Sequence, residues 1–256
     1  MHNGVFMVKN LILYTSKQKA SGNIAEKMIE KGYRGEIIDT KVDSVLDVPT
    51  DFDADRIIVL SPHKSKTGKP MLTAHVPGNW SKADFGGEAR TLNTAYGSML
   101  RKLILNMRET AEKKDFKWEI VLEADHHGPT CKLPIIFVEI GSTENEWGND
   151  LAGEIIAEAV MKAIEDDEKV ECFFGVGGGH YAREFTDYIA KEKVCVGHIL
   201  PKYAIESLDE DTFKQAVEKN VEKVGRVVVL KESTNKGQKE KIKDFCSKFN
   251  VKYEEL

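Results

Sequence analysis

Five runs of consecutive apolar, largely β-branched residues constrain this chain more than anything else in it. They are RIIVL at 56–60, IIFVEI at 135–140, VECFFGV at 170–176, VCVGHI at 194–199 and RVVVL at 226–230. A strand with one wet face alternates apolar and polar residues. A continuous run needs cover on both faces, as in a sheet lying between helices. Shorter runs at 10–14, 36–39 and 118–122 bring the strand candidates to eight. Helical periodicity lies between them. Ser21 is placed to cap a helix carrying Ile24, Met28 and Ile29, with Gly32 just past its end. Leu151, Ile155, Ile156, Ala159, Val160, Ala163 and Ile164 trace a second face, Phe213, Ala216, Val217 and Val221 a third, and Ile242, Phe245, Cys246 and Phe249 a fourth. Strands alternating with helices argue an α/β fold of three layers, α/β/α, around a largely parallel sheet. At 256 residues the chain suits one such domain spanning 1–256. The stretch 61–81, rich in Lys, Gly, Pro, Ser and Thr around a short apolar piece at 71–76, breaks the rhythm. It reads as the start of an irregular basic insertion at about 61–90, and a long insertion in a compact domain is usually functional.

With 37 Lys and Arg against 42 Asp and Glu, the net charge of −5 excludes a generally basic nucleic-acid coat. It leaves room for a local basic patch. Between 61 and 102, Lys64, Lys66, Lys69, Lys82, Arg90, Arg101 and Lys102 face only Asp84 and Glu88. Cys131, Cys172, Cys195 and Cys246 are at least about twenty residues apart, so no zinc-ribbon spacing exists, and they read as reduced core thiols. The opening MHNGVFMVKNLILYTS is too interrupted for a leader or a membrane span, which gives the expectation of a cytoplasmic protein.

Apart from His2, the histidines fall at predicted strand ends or in the insertion: His63, His75, His126, His127, His180 and His198. In an open α/β sheet the carboxyl ends of parallel strands form the ligand crevice, so several imidazoles are expected to converge on one edge. The run Glu123-Ala124-Asp125-His126-His127-Gly128-Pro129-Thr130 is the densest cluster and offers a metal ligand or a general base. Adjacent residues point in different directions, so one of His126 and His127 is expected to face the site. Glu139, inside an apolar strand, needs a buried partner such as a histidine or a metal. HExxH spacing is absent, so spacing alone gives little support for zinc.

The run Gly175-Val176-Gly177-Gly178-Gly179-His180 follows a strand and precedes a helix. Its backbone N–H groups suit a phosphate, a carboxylate or a developing oxyanion. It matches neither GxGxxG with a ribose-binding acid nor GxxxxGK[ST]. Lys64 and Lys66 beside His63, and Lys17 after the first strand, are candidates for contact with a polyanion or simply solvated charges. Trp80 and Phe85 suit either base stacking or a core.

Five motifs in order carry a family resemblance: SPHKSKTGKPMLTAHVPGNW, ADHHGPT, FVEIGSTENEW, GVGGGHYAREFTDY and VGHILPKYA. Together they resemble the archaeal- and plant-type D-aminoacyl-tRNA deacylases, over most of the chain from Leu11 onward. The resemblance implies hydrolysis of the ester between a D-amino acid and the terminal ribose of tRNA, with zinc as cofactor. It also implies a mixed rather than all-parallel sheet, in a fold resembling the phosphorylase/peptidyl-tRNA-hydrolase type. The residues expected to carry the chemistry are His126, His127, His180 and Glu139, with His126, His127 and His180 as the metal ligands. Lys17, His63, Lys64, Ser65, Lys66, Gly177, Gly178 and Gly179 are expected to hold the substrate. The expected partner is the acceptor end of D-aminoacyl-tRNA, with no membrane or DNA; a monomer is plausible, but the sequence does not fix the oligomeric state. Two other readings use the same residues. A zinc-dependent peptidase or amidohydrolase predicts turnover of a tRNA-free substrate. A non-catalytic module for tRNA or phosphate predicts affinity without turnover.

Overall fold

A computed structural model describes residues 8–256; His2 and the start of the N-terminal run lie outside it. All eight expected strands form, but in two sheets. The larger has the order β2 (Glu36–Asp39), β1 (Asn10–Tyr14), β3 (Arg56–Pro62), β8 (Ile135–Gly141), β4 (Met71–His75), β7 (Glu119–Leu122). The smaller has the order β10 (Val194–Leu200), β9 (Glu171–Val176), β11 (Val224–Val229), β12 (Lys252–Glu255) and is parallel throughout. A short hairpin of β5 (Gly78–Asn79) and β6 (Thr91–Leu92) stands apart.

The larger sheet is mixed. β4 runs antiparallel to β8, pairing Thr73 with Glu139 and His75 with Phe137. β7 then runs parallel to β4. This corrects the reading of 61–81 as irregular, since its apolar piece is a fully buried interior strand. Five consecutive buried residues can be strand or loop core by pattern alone, and the flanking Gly, Pro and Lys favour the wrong choice.

Helices α1 (Lys19–Glu30), α2 (Gly97–Lys113), α3 (Glu144–Trp147) and α4 (Asp150–Ile164) precede β9, and α5 (Arg183–Lys191), α6 (Glu210–Glu218) and α7 (Lys236–Lys248) follow it. Both faces of the β1–β3–β8 core are covered, as the continuous runs require. Ile12, Ile58 and Ile136 pack with residues of α1, α2 and α4, while Leu11, Leu13, Ile57, Val59, Ile135 and Phe137 pack on the other side with Val45, Val48 and Cys131. The first cluster also takes in Phe173, Val196 and Val228, so one apolar core runs from the larger sheet into the smaller. All four cysteines are buried free thiols. Among the described residues no helix is long and apolar enough to cross a membrane.

Two local expectations change. Helix α1 starts at Lys19, before Ser21. Instead of capping, the Ser21 hydroxyl accepts the Thr15 N–H at 2.9 Å and donates to the Leu60 carbonyl at 2.6 Å, fastening the end of β1 to β3. Helix α2 was not among the expected helices. Its buried Met99, Leu100, Leu103, Ile104 and Met107 keep helical spacing, and it packs against β4, β7 and β10, bridging the two sheets. Its first N–H groups are taken by the buried carboxylate of Glu222, which accepts from Gly97 at 3.1 Å and Ser98 at 3.0 Å.

Close approach of α2 to β10 requires a glycine at 97. A Cβ there would lie 2.8 Å from the Val196 carbonyl oxygen and 2.9 Å from Cys195 Sγ. Gly97→Ala is expected to destabilise the protein by about 1–3 kcal/mol in urea titration. Gly237→Ala, on α7 with only Asn235 Oδ1 at 3.5 Å, is expected to be neutral or to stabilise by up to about 1 kcal/mol.

Candidate active site

The site forms where β7 leaves the larger sheet and runs to the carboxyl end of the smaller one. Glu123 N–H still donates to Ala74 O at 3.1 Å. One residue on, Ala124 N–H donates to His180 O at 2.8 Å, and Asp125 N–H donates to Ile199 O at 3.1 Å. The Asp125 carboxylate accepts the Ile199 N–H at 2.9 Å and lies 2.6 Å from His198 Nδ1. His198 Nε2–H donates to Lys219 O at 3.0 Å. Both nitrogens of His198 are thus engaged within the protein, and this histidine joins β10 to the β7 exit.

The expectation that the histidines gather on the carboxyl edge of one parallel sheet is corrected by strand direction. Because β4 and β7 oppose β8, His75 and Glu123 leave at the other end from His63. They meet over the sheet face that carries Ser61, Thr73, Phe137 and Glu139, since cross-strand partners share a face. Phe137 forms the floor, with ring centroids 5.5 Å from His75 and 5.1 Å from His127.

Five imidazoles and two carboxylates come together there. Glu123 lies 3.1 Å from His63 Nδ1, 2.8 Å from His180 Nε2 and 3.5 Å from His126 Nε2. Glu139 lies 3.2 Å from His63 Nδ1 and accepts from Ser61 Oγ at 2.7 Å. His63 Nε2 is 2.8 Å from the Tyr181 hydroxyl. His126 packs against His75, His127 and His180 with centroids 4.2, 4.4 and 4.5 Å away. His127 adopts a left-handed backbone, φ 48°. That turn brings its ring to the same side as His126, so both neighbours face the site, contrary to the alternation expected of extended chain.

The cluster divides electrically. Burial opposes charge on His63, but contacts with Glu123 and Glu139 prevail and raise its pKa to about 11. Burial would also raise Glu123, yet His180 and His63 hold that carboxyl well below its usual range. On the other side burial and the neighbouring imidazoles push His75 well below its ordinary value and His126 to about 3. Burial lowers His127 as well. An ion-paired half therefore adjoins a half of neutral imidazoles. His126 Nδ1–H donates to Ala124 O at 2.8 Å and His127 Nδ1–H to Gly128 O, which leaves both Nε2 atoms bare. His75 Nε2 faces His127 Nε2 at 3.1 Å.

Donor atoms of His75, His126 and His127 lie within 4.8 Å of one another, as do those of His63, Glu123 and His180. The structure thus groups His75, rather than His180, with His126 and His127. Among the described residues seven buried side-chain polar atoms lack a well-formed hydrogen bond, and four are here: Thr73 Oγ1, His75 Nδ1 and both oxygens of Glu123. Buried polar atoms of this kind are completed by a ligand, an ion or ordered water, or serve a catalytic role.

A family model described as D-aminoacyl-tRNA deacylase matches residues 50–254. The chain belongs to the D-aminoacyl-tRNA deacylase family. The D-aminoacyl-tRNA deacylase of Pyrococcus furiosus is 35% identical over 245 residues, covering 86% of this chain and 89% of the relative. Those of Saccharolobus solfataricus and Thermococcus kodakarensis are 36% identical over 226 residues and 34% over 247, with the same coverage. The crystal structure of a conserved protein of unknown function superposes with a TM-score of 0.87 at 28% identity, covering 97% of this chain and 95% of that one.

Of the family residues singled out from sequence, His63, His126, His127, His180 and Glu139 meet in the cluster. Lys64 and Lys66 are exposed on the loop beyond His63, where Ser65 N–H donates to Ser142 O at 3.2 Å. Lys17 is not brought in, because its ammonium pairs with Asp43 at 2.7 Å. The glycine run does not supply the expected set of free N–H groups. Gly177 N–H donates to Leu200 O and Gly178 N–H to Ser233 Oγ, both at 2.9 Å. Positive φ angles of 113° and 77° explain the need for glycine at these two positions. The helix expected to open at His180 starts at Arg183. Sequence reasoning counted His75 among the converging histidines and Glu123 in the densest cluster but gave neither a role of its own, and it did not single out Tyr181. Glu123 had a legible signal, a carboxylate closing the apolar run EIVL, whereas His75 was hidden in a segment read as loop.

His63 holds two buried carboxylates together, so His63→Ala is expected to destabilise the protein by about 3–5 kcal/mol in urea titration. Adding Glu139→Gln to that variant should recover part of the loss by removing one uncompensated charge.

Proposed function

We propose that this chain hydrolyses the ester between a D-amino acid and the terminal ribose of tRNA. The observation that carries the reading is the pairing of buried Glu123 with His180 in a chain of this family. His180 and His126 are the partly exposed imidazoles that touch Glu123, with 34% and 25% of the side chain accessible. Of the two, His180 is closer to the carboxylate and more open to solvent. With Nε2 turned to Glu123 at 2.8 Å, His180 presents Nδ1 as a base.

His180 Nδ1 takes a proton from water as the water oxygen bonds to the acyl carbon. Glu123 keeps the ring oriented and stabilises the imidazolium that forms. The bond from the acyl carbon to the ribose oxygen then breaks, and Nδ1 returns the proton to that oxygen. A free D-amino acid and tRNA leave. His63, charged and held between Glu123 and Glu139, offsets the negative charge behind the reacting pair.

Zinc fits the other half of the cluster. The neutral imidazoles of His75, His126 and His127 are the donor class it prefers, and two of them are fixed by carbonyl hydrogen bonds. Nitrogens bound tetrahedrally at ~2.0–2.1 Å sit about 3.3 Å apart, close to the 3.1 Å between His75 and His127. Held there, zinc would supply Lewis-acid charge beside the base. The three-layer arrangement, read from alternating strands and helices, its phosphorylase/peptidyl-tRNA-hydrolase type, implied by the family resemblance, and a cytoplasmic setting, which four buried free thiols suit, belong to the same proposal.

The test is hydrolysis of D-tyrosyl-tRNA beside L-tyrosyl-tRNA, with and without chelator and with zinc added back. Loss of the D-ester alone, stopped by chelator and restored by zinc, is the expected result. His180→Ala should lower kcat by about 10²-fold or more. Chelator-resistant, D-specific turnover would remove zinc and leave the deacylase. No turnover of either ester would remove the deacylase in favour of a peptidase, an amidohydrolase or a binding module.

A further inference from the structure

Among the described residues five large hydrophobic side chains are exposed, and the two aromatic ones are Phe85 and Tyr203, at 70% and 64%. Both stand on loops tied to the histidine cluster. The Phe85 carbonyl accepts the Gly128 N–H at 3.1 Å, one residue past His127. The loop behind it is fastened too. Asn79 Nδ2 donates to the carbonyls of Gly86 at 2.9 Å and Glu88 at 3.2 Å, and Glu88 N–H donates to Thr130 Oγ1 at 2.8 Å. Tyr203 lies in the short 3-10 turn Lys202–Ser207, just beyond β10. Lys202 N–H donates to Gly178 O at 2.9 Å, two residues before His180. One aromatic ring therefore flanks the His127 side of the cluster and the other the His180 side. Trp80, the other aromatic residue weighed for stacking, is buried against Phe174 with centroids 5.6 Å apart.

A fastened loop that holds an aromatic ring in water gains nothing from packing. Such a ring is suited to a planar partner, and every nucleobase offers a π-face. Unpaired lysines stand nearby, with the acids Asp84 and Glu88 on the same loop as Phe85 and Glu206 in the turn of Tyr203. Lys82 lies three residues before Phe85, Lys202 adjoins Tyr203, and Lys64 and Lys66 follow His63. All four are exposed, and among the described residues none of them forms an ion pair. Exposed rings interspersed with unpaired lysines are what unpaired nucleic acid meets on proteins that bind it.

We propose that Phe85 and Tyr203 are stacking surfaces for the unpaired 3′ end of tRNA, and that they place the terminal adenosine so that its ribose ester reaches His180. The inference rests on the deacylase reading and goes beyond it by assigning where the nucleic acid is held.

The experiment uses the full chain and tRNA with 2-aminopurine replacing its terminal adenine, a base whose fluorescence falls when it stacks. Wild-type protein should quench it. Phe85→Ala and Tyr203→Ala should each weaken the quenching and raise KM for D-tyrosyl-tRNA about tenfold, with a smaller change in kcat. Phe85→Trp and Tyr203→Phe keep a ring and should keep the quenching. Ile29→Ala, which removes an exposed apolar side chain on α1, should change neither readout. Binding without quenching, or alanine variants with the wild-type KM, would overturn the stacking proposal while the deacylase stands. Quenching by a wild-type protein that hydrolyses neither ester would overturn the deacylase reading and leave the stacking in place.

Discussion

A buried carboxylate must be neutralised, and much of the arrangement around this site follows from how Glu123 is. Its backbone still belongs to the larger sheet through Ala74, while its side chain meets His63 from the end of β3 and His180 from the loop after β9. A charge in that position, stripped of water, stays in place only while both partners stay. Two residues on, Asp125 repeats the device with Ile199 and His198. The segment from 122 to 127 thus stitches the two sheets through backbone hydrogen bonds and the buried side chains of Glu123 and Asp125. The apolar contacts through α2 supply cohesion, and the carboxylates fix the relative placement of the groups that do chemistry.

That placement stores a cost. Packing the neutral imidazoles of His75, His126 and His127 with centroids 4.2–4.8 Å apart, some nitrogens bare, leaves polar atoms dry and unmatched. A core of the same shape made of leucine and phenylalanine would carry no such penalty. The two halves of the cluster use opposite solutions. On the His63 side, one imidazolium is held between two carboxylates. On the His75 side, burial suppresses protonation, which keeps lone pairs available for a ligand. Neutral imidazoles and an ion-paired carboxylate coexist within a few ångströms only because these environments differ.

Most strands were legible because covered strands leave continuous apolar runs, and β3, β8, β9, β10 and β11 are such runs. β4 was not, although all five residues are buried, because Lys, Gly and Pro beside it imitate a loop. The error mattered, since a strand inserted antiparallel between β8 and β7 moves the cluster from the edge of the sheet to its face. α2 was missed, although Met99, Leu103 and Met107 keep a spacing from which it could have been read. The gathering of His63, His126, His127, His180 and Glu139 was also readable, because strand ends are where side chains from distant segments meet. The orientation of His127 and the engagement of the Gly177 and Gly178 amides were not. Both depend on a backbone φ and on partners more than twenty residues away.

The charge pattern resolves an apparent conflict between a net-acidic chain and a polyanionic substrate. Fields at a protein surface are local, since salt screens charges beyond about 8–10 Å. Many lysines elsewhere, among them Lys17, Lys31, Lys113 and Lys193, are matched by carboxylates, whereas Lys64, Lys66, Lys82 and Lys202 are not. The rim therefore offers unpaired lysines although the chain is negative, with Asp84 and Glu88 among them on the Phe85 loop. The interior is net negative, with two carboxylates against one imidazolium, and it favours a cation. Phosphates are drawn to the rim and repelled from the floor. Only the neutral part of such a substrate, an ester with its acyl group, has an electrostatic reason to go deeper, and it reaches His180 at the boundary between the two.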